Sequence, residues 1–420
     1  MRNLTKLTRS RNLFIGAGFT ALLAALAVGQ AALDKTAAAQ ATGVQAPVFE
    51  VDPLWPKPLP NHWVLGSTIG VFVDTDDHVW IIHRSSATLA NNEKPLELGT
   101  GECCAGAPPI LEFDQAGNLL RHWGGPGEGY EWPDSNHGIF IDYKGNVWIG
   151  GNGAPDSQVL KFTKDGKFLL QVGKKGARRR VGAVAGEGEG AVAGFVGGSN
   201  DEVSFGRVAK IFVDAQANEA YLADGYLNKR VAVIDADTGK MKRWWGAYGN
   251  KPDDTPLPAY DPLAPPAQQF RNPVHCADMS VDRMIYVCDR AGDRLQVFTP
   301  DGKFVKEGFY EKNTKNAGSV WDIAFSKDPQ QRYIFMADGV NEKVKIVNRQ
   351  TLEELTTFGD GGRQPGQFYG VHSIATDSKG NIYTTETYEG KRLQRFINKG
   401  MAPVTRMNQG AAATWPAAAR

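Results

Sequence analysis

One segment recurs six times along this chain, and a sequence that repeats its strands has few folds open to it. The unit reads as an apolar strand ending in Asp, a turn that often carries Gly-Asn, a second strand with an aromatic residue, a loop, and two further strands. It is plainest in GIFIDYKGNVWIGG (138–151), KIFVDAQANEAYLAD (210–224) and SIATDSKGNIYTTE (373–386). Looser copies are VFVDTDDHVWIIHR (71–84), DMSVDRMIYVCDR (278–290) and IAFSKDPQQRYIFMAD (323–338). Outer pairs follow, as in VLKFTKDGKFLLQVG (159–173) and LQVFTPDGKFVKEG (295–308), where the Asp-Gly turns signal hairpins.

Four strands per copy, repeated roughly every 45–70 residues, predict an all-β fold: a six-bladed β-propeller, whose closure into a ring removes exposed sheet edges. The alternatives are a β-sandwich or a run of unlinked hairpins. The blades are expected over 66–127, 130–176, 199–249, 269–310, 317–360 and 369–400, within one domain spanning 42–400. The last copy shows three clear strands, so PVFEVD (47–52) is expected to supply its outer strand and latch the ring. Two insertions stand out. Residues 85–108 carry adjacent cysteines, and residues 174–200 are rich in Gly, Ala and Val with a KKGARRR run that reads as a flexible surface loop. The Ala-rich tail 401–420 is expected to be loosely ordered.

The ends and the charge limit what the chain can do. Arg2, Lys6, Arg9 and Arg11 precede an apolar run from Leu13 to Val28 and then Ala-rich sequence through Ala41. This reads as a secretory signal within residues 1–41, because the apolar run is shorter than the roughly 20 residues that a membrane span needs. The expected location is the periplasm or outside the cell, with no stable membrane insertion after cleavage. A formal net charge of +1 gives no basic field, so nucleic acid is not an expected partner. Cys276 and Cys288 fall near opposite positions of one hairpin and are placed to pair; Cys103 and Cys104 are adjacent, which makes them awkward to bridge. No CxxC spacing supports a zinc ribbon.

Aligning the six copies at the first position of the inner strand puts Ile69, His137, Ala209, His275, Trp321 and His372 in register. Three of the chain's seven histidines therefore occupy the second, fourth and sixth blades. Inner strands line a propeller's central channel, so alternate blades would aim three imidazoles at the axis, as an open zinc site requires. A lone histidine at a strand start is usually only a polar channel residue; three in one phase are harder to dismiss. Four residues after the second-strand aromatics come Arg84, Asn152, Gly225, Arg290, Gly339 and Thr387, with Tyr226 next to Gly225. Those strand ends share a mouth with the histidines. Arg84 and Arg290 would clamp a carboxylate, and a tyrosine near a cation can be tuned to act as a base. The expected partner is a small-molecule or peptide substrate with a carboxylate; a surface salt bridge is the plainer reading of each arginine alone.

At this point the chain resembles the catalytic core of the peptidyl-α-hydroxyglycine α-amidating lyases, six-bladed propellers of NHL-type repeats. The likeness covers roughly residues 60–398. It rests on IIHR (81–84), the His137-Gly138 pair before IFIDYKGNVWI, ADGYLNKR (223–230), NPVHCADMS (272–280), CDRAGDRLQVF (288–298) and GVHSIATDSKGNIY (370–383). The resemblance implies zinc on His137, His275 and His372, with Tyr226, Arg84 and Arg290 completing the catalytic site. It also implies cleavage of a peptidyl-α-hydroxyglycine to a peptide amide and glyoxylate. Departures are visible. Leu227 stands where the family has a cysteine, and Tyr286 and Val297 replace another family pair, so the family's disulfides are not expected. Ser373 replaces an aspartate of the family's structural calcium site, which is therefore not expected to be complete. No hydroxylating domain accompanies this one, so the substrate can be another hydroxylated amide.

Two other functions compete on sequence grounds. NHL-type propellers also serve as non-catalytic modules binding a protein, peptide or glycan, and fold alone does not choose between roles. A propeller lactonase would use a carboxylate-lined calcium site, whereas this channel phase offers histidine.

Overall fold

The computed structural model describes residues 43–180 and 195–411, and within them the chain is an all-β, six-bladed propeller. The signal-like segment 1–41, most of the 174–200 loop and the end of the tail lie outside the described residues. There are six four-stranded sheets; five run outward in chain order from an inner strand, and the sixth takes its outer strand from the N-terminal end of the described residues. The inner strands are Thr68–Val73, Asn136–Ile141, Val208–Asp214, Val274–Met279, Asp322–Phe325 and Val371–Thr376. Each touches the next around the ring, and the sixth returns to the first.

Position within a blade explains the composition of each strand. Second strands such as Val147–Gly151 and Glu219–Asp224 are buried along their whole length, because neighbouring blades cover both faces. Outer strands alternate: Leu119–Trp123 turns Leu120 and His122 to solvent and half-buries the residues between them. The repeated Asp and aromatic form one device. Asp142 accepts from the backbone N–H groups of Lys144 and Asn146 in the turn, and from the Trp148 indole at 2.9 Å. Asp74 takes the Trp80 indole at 3.0 Å, and Asp377 takes the Tyr383 hydroxyl at 3.0 Å. In these three blades the aromatic ties the hairpin turn to the second strand.

The ring closes as the sequence predicts. Gln45–Asp52 pairs antiparallel with Arg392–Pro403 as the outer strand of the last blade. Phe49 and Val51 bury on one face, each worth roughly 1.5–3 kcal/mol, while Asp52 meets Arg395 at the edge. The tail departs from the expected loose segment over its first part. Met401–Pro403 continue that strand, Val404 and Ala411 are buried, and Thr357 bonds to Met407 and Gln409. Apolar side chains with a place to bury outweigh the Ala-rich composition there. Both cysteine pairs are bridged: Cys276 to Cys288 across neighbouring strands, and the adjacent Cys103 and Cys104 to each other. No helix among the described residues is long and apolar enough to cross a membrane.

Candidate metal centre

A β-bulge sits at the same place in five inner strands. The ladder slips at Ile69, at His137-Gly138, at Ala209, at His275 and at His372. An extra residue in one strand turns its side chain and its backbone groups out of the ladder. In blades two, four and six the residue set free is a histidine. In blades one and three, and at Trp321 in blade five, the residue in that position presents a carbonyl oxygen.

The two sets interlock around the axis. His137 Nδ1 bonds to Ala209 O at 2.7 Å, His275 Nδ1 to Trp321 O at 2.5 Å, and His372 Nδ1 to Ile69 O at 2.7 Å. Each even blade's imidazole thus donates to the aligned carbonyl of the blade that follows it. A carbonyl only accepts, so every Nδ1 carries the proton and every Nε2 keeps its lone pair. The ring centroids form a near-equilateral triangle with sides of 4.8, 4.9 and 5.1 Å, and one ligand nitrogen from each ring lies within 4.8 Å of the others. All three side chains are buried.

Burial first, then the neighbouring imidazoles for His137 and His275 and the charge of Arg290, joined by Arg84 for His137 and His372, favour the neutral form of these rings. The His372 pKa falls to about 3, and those of His137 and His275 lie well below the ordinary value. Three neutral, oriented, convergent imidazoles with an open side are a donor set that fits zinc. Glycine makes the close approach possible. A Cβ on Gly138 would stand 2.5 Å from Ala209 O, the oxygen that holds His137.

The remaining site residues gather at the same mouth. The Tyr226 hydroxyl lies 2.9 Å from His137 Nε2 and 3.1 Å from His275 Nε2, and Arg290 Nη1 donates to it at 3.3 Å. Gly225 places that tyrosine: a Cβ there would strike the Val274 backbone at 2.1 Å, directly before His275. The Arg290 guanidinium lies over the Trp321 ring at 4.5 Å, and its buried Nε has no hydrogen-bond partner. Arg84 donates from Nη2 to Asn152 Oδ1 at 2.9 Å, and burial lowers its pKa despite the nearby Tyr226.

Sequence alignment placed Trp321 and Asn152 in register without assigning them work; the first supports one guanidinium and the second anchors the other. Lys210 was missed altogether. It follows Ala209, and its ammonium bonds Asp278 at 2.9 Å and Asp322 at 2.5 Å across the inner strands. Burial would lower the Lys210 pKa, but the two carboxylates outweigh it and raise it. One ammonium cannot compensate two carboxylates, so burial and Asp322 raise Asp278 to about 6. Cys276 lies beside these carboxylates with its sulfur tied up in the bridge to Cys288, and the Lys210 ammonium is the cation that the two carboxylates share. A lysine in a strand carries no sequence signal of this kind unless strand register is known.

No protein-family model matches the chain, and no curated protein does. Among solved structures it is similar to a streptogramin B lyase, at 13% identity and a TM-score of 0.47, covering 85% of this chain and 98% of that one. It is also similar to virginiamycin B lyase from Staphylococcus aureus, at 12% identity and a TM-score of 0.43, covering 86% and 92% of the two chains. A protein of unknown function from Bacteroides thetaiotaomicron aligns at 11% identity and a TM-score of 0.45, over 85% and 77%. Likeness this distant carries no weight in assigning the chemistry.

Proposed function

We propose that this protein is a zinc-dependent lyase that breaks the C–N bond of an α-hydroxylated amide, releasing an amide and glyoxylate. The observation that carries the reading is the triangle of Nε2 lone pairs, each oriented by a carbonyl on the adjacent blade. His137, His275 and His372 would hold the metal, which when bound supplies Lewis acidity that makes a nearby alcohol more acidic.

The chain's own residues account for the rest. Tyr226 Oη, acting in its ionised form, would take the hydroxyl proton and return it to the departing nitrogen. As the O–H electron pair becomes the new C=O bond, the C–N bond breaks, and its electron pair and one proton pass to the amide nitrogen. Atoms balance without water or an oxidant. Arg290 donates to the tyrosine oxygen, and with Arg84 at the same mouth it supplies the positive charge that would hold a substrate carboxylate. Asn152 and the Trp321 ring fix the two guanidiniums before substrate arrives, which lowers the cost of ordering them. A periplasmic or extracellular location is part of this proposal; the signal-like N-terminal sequence and the two disulfides support it.

Metal analysis paired with a glyoxylate assay tests the proposal. Purified protein is expected to carry about one zinc per chain, and His275→Ala to lose it. Tyr226→Phe is expected to retain zinc and to lose at least about 100-fold in glyoxylate release from an α-hydroxyhippurate-type compound. Wild-type protein that stays metal-free after zinc-replete expression would sink the metal site. A metal-loaded wild type with no turnover of any α-hydroxyglycine would sink the reaction.

A further inference from the structure

Beyond Tyr226 the mouth widens into a cleft of about 590 Å³, within the range of small-molecule sites. One wall is the connection between the third and fourth blades, where Pro256, Leu257, Ala259 and Tyr260 form a largely apolar ridge. Arg178, Lys229, Arg271 and Lys315 line the same space, and among the described residues Asp254 is the only carboxylate in its lining. That carboxylate is already engaged by Ser199 and approached by Arg178 at 3.5 Å.

Lys229 and Arg271 are fixed by carbonyl oxygens rather than by a paired carboxylate. Lys229 Nζ donates to the carbonyl oxygens of Asp253 and Thr255 at 3.1 and 2.6 Å, and Arg271 Nη1 donates to Pro258 O at 2.8 Å. Carbonyl acceptors hold a charged head in place but leave its charge for something else. Arg271 also lies over the Tyr260 ring at 5.3 Å, which joins one of the cations to the ridge. Burial lowers the Lys229 pKa and Arg271 adds to it, although Asp254 and Asp253 oppose them. Lys315 is exposed at the rim.

We infer that this cleft receives the acyl half of the substrate and that this half carries an anionic group of its own. The substrate class is then dianionic: an N-acyl-α-hydroxyglycine with one carboxylate at Arg84 and Arg290 and a second anion among Lys229, Arg271 and Lys315, joined by an apolar spacer along Pro256–Tyr260. This rests on the lyase reading for its reacting end only. On this reading the connection between the third and fourth blades selects what reaches Tyr226.

Three unreactive probes of equal length decide the matter: N-succinylglycine, N-butyrylglycine and N-(4-aminobutyryl)glycine, titrated calorimetrically into the zinc-loaded protein. The succinyl probe is expected to bind at least about tenfold more tightly than the butyryl probe, as a single charge-assisted contact allows, and the aminobutyryl probe least well. The preference should shrink severalfold in Lys315→Glu, an exposed change that leaves the ridge intact, and again in Arg271→Gln. Equal affinity for the succinyl and butyryl probes overturns the inference, as does failure of all three to bind or a preference that survives both variants. An intact succinyl preference without glyoxylate release from the α-hydroxylated compounds overturns the lyase reading and leaves the cleft assignment standing. Turnover that ignores acyl charge does the reverse.

Discussion

His83 ends the strand that delivers Arg84, and its protonation state is built into the fold. The side chain is fully buried. Its Nδ1 accepts from the backbone N–H groups of Gly66 at 3.1 Å and Ser85 at 3.0 Å, which leaves Nε2–H to donate to Pro108 O at 2.9 Å. A proton on Nδ1 would break two hydrogen bonds and strand a charge away from water. Burial accordingly lowers the His83 pKa to about 4, with the Pro108 bond acting in the opposite sense. In the unfolded chain a histidine titrates near 6.5. As pH falls below that value the unfolded state takes up a proton and the folded state does not. The stabilisation is therefore present in full above pH 6.5 and is lost progressively as pH falls toward 4. At pH 5 the gap of about 1.5 units costs about 2 kcal/mol at 1.36 kcal/mol per unit.

Urea unfolding of wild type and His83→Asn at pH 7.5 and pH 5 measures this directly. The asparagine keeps an acceptor near Nδ1 but cannot titrate. It should be the less stable protein at pH 7.5, having lost the bond to Pro108 and ring volume, and the gap should narrow by about 2 kcal/mol at pH 5. Comparing the two proteins cancels carboxyls such as Asp278 and Asp293, both raised to about 6 chiefly by burial and titrating in the same interval. A gap constant to within about 0.5 kcal/mol, the usual additivity error, would refute the buried neutral imidazole.

Gly138→Ala forces a Cβ against the Ala209 backbone and should cost about 1–3 kcal/mol in stability. It should also weaken zinc binding by about tenfold or more through the displaced His137 partner; chelator competition reads the second effect, and unchanged affinity would detach the carbonyl ring from metal binding. Lys210→Met leaves Asp278 and Asp322 buried without their cation, at a cost of about 3–5 kcal/mol at pH 8. A carboxyl whose folded pKa is raised regains stability as pH falls through that pKa, so the deficit should shrink at pH 5.5 and in the double variant with Asp278→Asn. Equal deficits at both pH values would show that the network is not ionised as drawn.

Much of the molecule is legible in the chain because a propeller writes its geometry as period. Equal phase in the repeat means equal height in the channel, so His137, His275 and His372 could be placed together without coordinates. The closing strand was readable from a shortfall, three strands in the last copy and a spare one at residues 47–52. The carbonyls of Ile69, Ala209 and Trp321 were not readable, since a backbone oxygen has no residue type and the bulge that frees it has no signature here beyond Gly138. Lys210 and the 251–268 wall escaped for a related reason: their partners come from other blades, at separations no local pattern encodes.

By itself the sequence determined the number of blades, how the ring closes, and which side chains meet at its axis, because strand period and repeat phase are local properties that closure merely copies around a circle. Tertiary structure alone decided which nitrogen of each histidine faces inward, what holds each guanidinium, and what charge waits beside the tyrosine. Those depend on contacts between blades, where distances of a few tenths of an ångström separate a hydrogen bond from a clash.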